Sequence, residues 1–151
     1  MQSLGDFFPN ELREQNAENN LTIGAVIRRY ETSTTPPKIK RSIIIGFDTN
    51  SVILAYIFIN SEINPNLFPT EDSKNLHLEL KVTDRPYLSH TSFADCSQLH
   101  EYSVDSLKAL VTSDSSSHLG ELSADDLSNI LDKIKSAKTI SNSKKRKFGL
   151  L

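Results

Sequence analysis

The sequence predicts an α+β domain, mainly β, in which antiparallel strands come first and a regular helix comes near the end. Segments rich in β-branched residues fill the first half of the chain. Polar and apolar residues alternate strictly over 76–82, which is typical of a half-buried strand. Apolar residues then recur at helical spacing over about 123–138. The chain has 151 residues, the length of one ordinary domain.

Three strands are predicted in the first half of the chain, over 21–30, 39–47 and 51–59. The third is apolar on both sides, which indicates a central position in the sheet. The turn at 48–50 is short, so the second and third strands should pair as an antiparallel hairpin. The segment 31–37 has two prolines and three threonines and is predicted to be an exposed loop.

The rest of the chain gives weaker patterns and one strong one. Further strands are expected over 91–99 and near Tyr102, and short helices over 10–17 and 104–111. The strongest local pattern is the helix over 123–138. Ser123 is its predicted N-cap, and Asp126 stands at the third position in an acid variant of the capping box. Its apolar stripe should pack on the sheet; the stripe consists of Leu127, Ile130, Leu131 and Ile134.

We expect one domain over 21–140, preceded by a polar extension over 1–20 and followed by a solvated basic tail over 141–151. A single cysteine excludes an intrachain disulfide, and a reduced cytoplasmic setting is the simplest interpretation. The chain has no run of eighteen apolar residues and its opening has no signal-peptide pattern, so no membrane partner is expected.

Charge is distributed unevenly along the chain. Residues 28–41 carry five bases and one acid, residues 42–132 carry four bases and fourteen acids, and seven bases follow without an acid. Basic segments on an acidic body indicate a site for an anion, and a polyanion is the obvious candidate. The alternative is that these segments are solvated faces.

Five segments, in this order, resemble the PemK/MazF toxin family of type II toxin–antitoxin systems, which belongs to the CcdB/Kid superfamily. Together they cover roughly residues 22–138. The segments are Ile23-Gly24-Ala25-Val26, Lys40-Arg41-Ser42-Ile43-Ile44-Ile45, VILAYIFINS over 52–61, SFADCSQL over 92–99 and LGELSADDL over 119–127.

The resemblance implies a small SH3-like barrel of antiparallel strands with a C-terminal helix over about 123–138. It also implies a cytoplasmic homodimer that cleaves single-stranded RNA without a metal or other cofactor and is neutralised by an antitoxin protein. Two alternatives stay open. One is a catalytically inactive or diverged module of the same fold that binds nucleic acid or a protein target such as gyrase. The other is an unrelated α+β protein.

The resemblance places four candidate catalytic residues. Arg41 matches the family arginine after the basic loop and is suited to hold a phosphate. Ser61 matches a hydroxyl at the end of the third strand. Strand periodicity puts Asp95 and Ser97 on one face and Cys96 in the core. Many family members have an acid where this chain has Ser97, so either Asp95 acts from a shifted position or catalysis is lost.

Contacts with RNA are expected from the loop over 32–40 and the strand before it. Because Arg28 and Arg29 are neighbours on one strand, their side chains point to opposite faces, and only one of them should face the site. The candidate RNA-binding residues are Arg28, Arg29, Thr35, Lys38 and Lys40.

The spacing of the four histidines is not that of a metal site. His77 is expected on the solvated face of its strand. His90 and His100 flank Asp95, so either could supply the missing general acid or base. The sequence contains no P-loop, G-x-G-x-x-G or G-x-S-x-G motif, so no nucleotide cofactor or hydrolase triad is expected.

Overall fold

The computed structural model describes residues 10–151. Residues 1–9 of the expected extension over 1–20 lie outside the described residues, and the rest of it forms a first helix, α1 (Asn10–Asn20). This helix runs three residues beyond the predicted end at residue 17. The first strand was predicted to begin at residue 21, but it begins only at Ala25, because residues 23–24 form a turn. Gly24 has a φ of +95° in this turn, a conformation that favours glycine.

Within the described residues, seven antiparallel strands form one curled half-barrel sheet. The predicted class, α+β and mainly β, is confirmed. The strand order is β4-β5-β3-β2-β1-β7, and β6 pairs with the first half of β3 while β5 pairs with its end. The strands are β1 (Ala25–Glu31), β2 (Lys38–Phe47), β3 (Ile53–Asn60), β4 (His77–Leu80), β5 (Ser92–Asp95), β6 (His100–Ser103) and β7 (His118–Glu121).

Four helices follow α1 in the described part of the chain, and the two longest of them were predicted. The short helix α2 and the edge strand β7 were not, because neither has an apolar period. The helices are α2 (Glu71–Lys74), α3 (Val104–Ser113), α4 (Ala124–Ser136) and α5 (Asn142–Lys147).

The sheet buries apolar side chains on both faces, as the pattern of β3 predicts. On one face, Ile43 and Ile57 belong to the same cluster as Ile130 of α4. On the other face, Ile44 belongs to a second cluster that includes Leu107 of α3. Because successive strand residues point to opposite faces, a continuous apolar run is what a strand between two cores requires.

Ser123 caps α4 as predicted, since its hydroxyl accepts the backbone N–H of Asp126 at 3.1 Å. The expected capping box is only half formed. The Asp126 carboxylate instead accepts two hydrogen bonds from the guanidinium of Arg85, at 2.8 and 2.9 Å. These bonds hold the pKa of Asp126 below its usual value.

The expectation of a solvated basic tail over 141–151 is wrong. This segment forms α5, and its apolar residues Phe148 and Leu150 are buried in the main core. Lys145 is buried as well, and its amine donates to two backbone carbonyls near the end of α4. Phe148 lies so close to Gly46 that a Cβ on this glycine would stand 2.6 Å from the Phe148 carbonyl oxygen. The run of four basic residues suggested a solvated tail, but the two apolar residues that follow it, Phe148 and Leu150, fix the segment in the core.

Candidate functional site

A cleft of about 710 Å³ opens beside the start of β2, the end of β3 and the strands β4 and β5. The segment after β3 forms one of its walls and contributes Leu67 and Phe68. The polar lining combines three cations with two carboxylates, those of Glu62 and Asp95, and with three of the four histidines. The groups that bear on its chemistry are Lys38, Lys40, Arg41, Asp95, His77 and His100.

The structure brings together five of the nine residues that the sequence singled out. Three of the four candidate catalytic residues line the cleft, and Ser97 does not. Two of the five candidate RNA-binding residues line it. The five residues are Arg41, Ser61, Asp95, Lys38 and Lys40.

The cleft takes side chains from both faces of the sheet. Arg41 is opposite Ile59, and Ile59 is opposite Ala94, so these three side chains share one face. Asp95 follows Ala94 and therefore points to the other face, with its cross-strand partner His77. Sequence reasoning assigned Arg41 and Asp95 to one site without this distinction.

Asp95 is the last residue of β5, and the chain turns immediately after it. Its Oδ1 accepts the backbone N–H of Ser97 at 2.9 Å and the Ser97 hydroxyl at 2.5 Å. Ser97 is therefore in a turn, and the prediction that it shares a strand face with Asp95 is wrong. Thr139 donates its hydroxyl to the carbonyl of Ser97 at 2.5 Å, so the segment after α4 holds this turn from outside. Ser97 positions the carboxylate.

The expectation that His77 is solvated is wrong. Its side chain is 1% exposed, and its ring packs edge-on against Phe68 with the centroids 4.3 Å apart. Its Nε2 is 3.6 Å from Oδ1 of Asp95, too long for a hydrogen bond. Neither ring nitrogen has a hydrogen-bond partner among the described residues. The alternating sequence pattern gave no sign that the polar segment after β3 would cover this strand.

His100 begins β6 and stacks on Tyr56, with the ring centroids 5.3 Å apart. Its ring also contacts Phe58, at a centroid distance of 4.4 Å. Burial lowers the pKa of His100, and the nearby Asp95 carboxylate offsets part of this effect. The imidazole is therefore mainly neutral at pH 7, which is the form that accepts a proton.

The cations of the cleft are held in different ways. Lys40 donates to the side-chain oxygen of Asn60 and lies over the Phe58 ring, 4.8 Å from its centroid. Burial lowers the pKa of Lys40, and the neighbouring positive charge of Lys38 lowers it further. Arg41 donates its Nε–H to the carbonyl of Tyr87 at 3.0 Å. Its other guanidinium N–H groups have no hydrogen-bond partner in residues 10–151 and remain available for a ligand.

Arg29 is occupied inside the protein. Its guanidinium lies 2.7 Å from the Glu31 carboxylate and donates to the Tyr56 hydroxyl at 2.7 Å. The same group packs 4.2 Å from the centroid of the Tyr102 ring. Burial raises the pKa of Tyr56 to about 12, so its hydroxyl stays protonated. Arg29 is therefore committed to an internal network.

Two further RNA-binding candidates lie on the surface outside the cleft. Arg28 is exposed and stands directly opposite Arg41 across the β1–β2 pair. Thr35 is exposed in the loop between these strands, where it precedes a cis proline. Only one of the neighbours Arg28 and Arg29 is free to bind a ligand.

The described residues contain no group of three or more histidine, cysteine, aspartate or glutamate side chains that could hold a metal ion. Cys96 is fully buried, and burial raises the pKa of its thiol to about 12. The thiol is therefore protonated at neutral pH and belongs to the core, as the strand pattern predicts.

No protein-family model and no curated protein matches this chain. None of the helices in the described residues has the length and the apolar character needed to cross a membrane. The PemK/MazF resemblance therefore depends on the ordered sequence segments alone, and the functional argument depends on the cleft.

Proposed function

We propose that this protein is a metal-independent endoribonuclease of the PemK/MazF type that cleaves single-stranded RNA. The observation that carries the proposal is the composition of one cleft. Lys38, Lys40 and Arg41 supply positive charge, Asp95 supplies a carboxylate and His100 supplies a neutral imidazole. Cleavage of a phosphodiester by its own 2′-hydroxyl needs these types of group and no metal.

In the proposed reaction, His100 accepts the proton of the 2′-hydroxyl as its oxygen bonds to phosphorus. Arg41 binds the phosphate through its free guanidinium N–H groups. It stabilises the charge that develops on the phosphate, because a guanidinium stays positively charged. Lys40 donates a proton to the departing 5′ oxygen, a role that its lowered pKa favours. Asp95 supports the protonated form of His100. The products are a 2′,3′-cyclic phosphate and a 5′-hydroxyl end.

The test is cleavage of a long mixed-sequence RNA by the purified protein in EDTA. We expect fragments that end in a 2′,3′-cyclic phosphate. Arg41→Ala should lower kcat/KM by roughly 100-fold or more, and His100→Gln by a similar factor. The matched control is Lys138→Ala, which removes an exposed cation outside the cleft and should leave the rate unchanged. Intact RNA after incubation with folded wild-type protein would overturn the catalytic proposal.

A second candidate is a non-catalytic module that binds RNA or a protein target such as gyrase through the same face. The observation that favours it is the state of Asp95, whose Oδ1 is bound within its own turn by Ser97, where many family members have an acid. Such a module would bind RNA without cleaving it, and its affinity would fall steeply with salt. Inhibition of gyrase without RNA binding would identify the protein-binding form instead.

The same proposal includes a homodimer and an antitoxin partner in the cytoplasm. Light scattering of the purified protein measures its mass in solution and so tests for the homodimer. The antitoxin proposal predicts that expression of this protein arrests growth, and that co-expression of a small acidic protein encoded by an adjacent gene restores it. Growth arrest should also disappear with Arg41→Ala and persist with Lys138→Ala.

A further inference from the structure

One face of the ribbon formed by β1 and β2 is buried in the main core at Val26 and Ile43, but farther along the ribbon the same face is open to solvent. Across this ribbon Arg28 stands opposite Arg41, and Tyr30 stands opposite Ile39. Opposed residues in an antiparallel pair share a face, so these four side chains form one surface, which we call the ribbon face. Tyr30 is 61% exposed and Ile39 is 65% exposed, although both are large and apolar.

The charges of the ribbon face are unbalanced. Like charges directly opposite each other destabilise a strand pair, and Arg28 opposite Arg41 is such a pair. The nearest acid of the ribbon, Glu31, lies on the other face and binds Arg29. Arg28 has no hydrogen-bond or ion-pair partner among the described residues. An anion bound between the two arginines would remove this repulsion.

The ribbon face is continuous with the cleft, because Arg41 and Ile39 belong to both. A strand advances about 3.4 Å per residue, so Tyr30 lies roughly 7 Å beyond Arg28 along β1. A ligand that leaves the cleft past Arg41 therefore meets a pair of cations and then an exposed aromatic ring. Alternating phosphate and flat aromatic groups are the chemistry of single-stranded nucleic acid.

We propose that the ribbon face binds a single-stranded RNA where it leaves the cleft, with Arg28 sharing the phosphate that Arg41 binds and a base stacked on Tyr30. This inference shares its ligand with the proposed function, but it does not require that the RNA be cleaved. An acidic peptide would satisfy the arginines, but it would leave the exposed tyrosine without a stacking partner.

The experiment measures binding of a fluorescent 2′-O-methyl oligoribonucleotide, which lacks the attacking hydroxyl, by anisotropy. We expect Tyr30→Ala to weaken binding by roughly 10-fold, whereas Tyr30→Phe, which keeps the ring, should stay within about 3-fold of wild type. Arg28→Ala should reduce the slope of log affinity against log salt by about one phosphate contact. Val52→Ala is the matched control, because Val52 is also a large exposed residue but lies beside the β2–β3 turn.

Three kinds of result would overturn the inference. One is equal affinity of wild type and Tyr30→Ala, or no binding by wild type. Another is equal affinity for an oligonucleotide without bases, since stacking would then contribute nothing. The third is displacement by polyglutamate at the same charge concentration as RNA, which would identify an acidic peptide as the ligand. Tyr30-dependent binding without cleavage of ordinary RNA would refute the endoribonuclease and leave the ribbon face established.

Discussion

The segment 141–151 should be an integral part of the fold, and Phe148→Ala tests this. Phe148 is 3% exposed and lies in the main core. A phenylalanine buries about 150–250 Å², which at about 25 cal/mol per Å² corresponds to roughly 4–6 kcal/mol as an upper range. Measured truncations of buried phenylalanine cost about 3–5 kcal/mol. We therefore expect Phe148→Ala to lower the free energy of unfolding by about 4 kcal/mol.

The measurement is urea unfolding followed by circular dichroism. Leu151→Ala is the matched control, because this residue is in the same segment and is 61% exposed. The control should change the free energy of unfolding by less than about 0.5 kcal/mol. If Phe148→Ala costs less than about 1 kcal/mol, the segment does not contribute to the core and the packing described above is wrong.

Three further predictions follow from contacts away from the cleft cations. Asp126→Ala should lower the free energy of unfolding by about 2 kcal/mol, because it removes both hydrogen bonds from Arg85. Urea unfolding measures the loss. The loss should shrink as the pH falls below 3.8, the ordinary pKa of an aspartate, and through the lower pKa that Asp126 has in the folded protein. Thr139→Val should speed amide hydrogen exchange at Ser97, while Thr139→Ser should preserve the wild-type rate; unchanged exchange in Thr139→Val would show that this bond does not hold the turn. Burial lowers the pKa of His118, so the unfolded chain binds its proton more readily and stability should fall as the pH drops through about 6.5; His118→Gln should lose part of this dependence between pH 7 and 5, as measured by the urea midpoint.

The sequence predicted the elements whose causes are local. The β2–β3 pairing follows from two apolar runs and a short turn, and α4 follows from the Ser123 cap and its apolar stripe. The predicted helix over 123–138 is observed over Ala124–Ser136. The edge strand β7 was missed because its signal is its pairing with β1, which no local pattern encodes.

The burial of His77 could not be predicted for a similar reason. The alternation over 76–82 correctly indicates a strand, but it does not say what covers the polar side of that strand. Phe68 belongs to a proline-containing segment without periodicity, and only the folded chain places its ring against His77. A period-two pattern identifies two faces, and the rest of the chain decides which of them meets water.

The difference between this chain and the PemK/MazF sequence pattern at Ser97 has a different meaning once the turn is known. In a continuous strand, a serine in place of an acid would remove a candidate base from the catalytic face. In the observed turn Ser97 points its hydroxyl at Asp95 and fixes that carboxylate, while His100, three residues further on, lines the cleft. In the proposed reaction, the proton acceptor is therefore His100 and the carboxylate that supports its protonated form is Asp95, from either side of the turn. The proposed reaction would therefore depend on the geometry of the turn over 95–100 and would not require an acid at position 97.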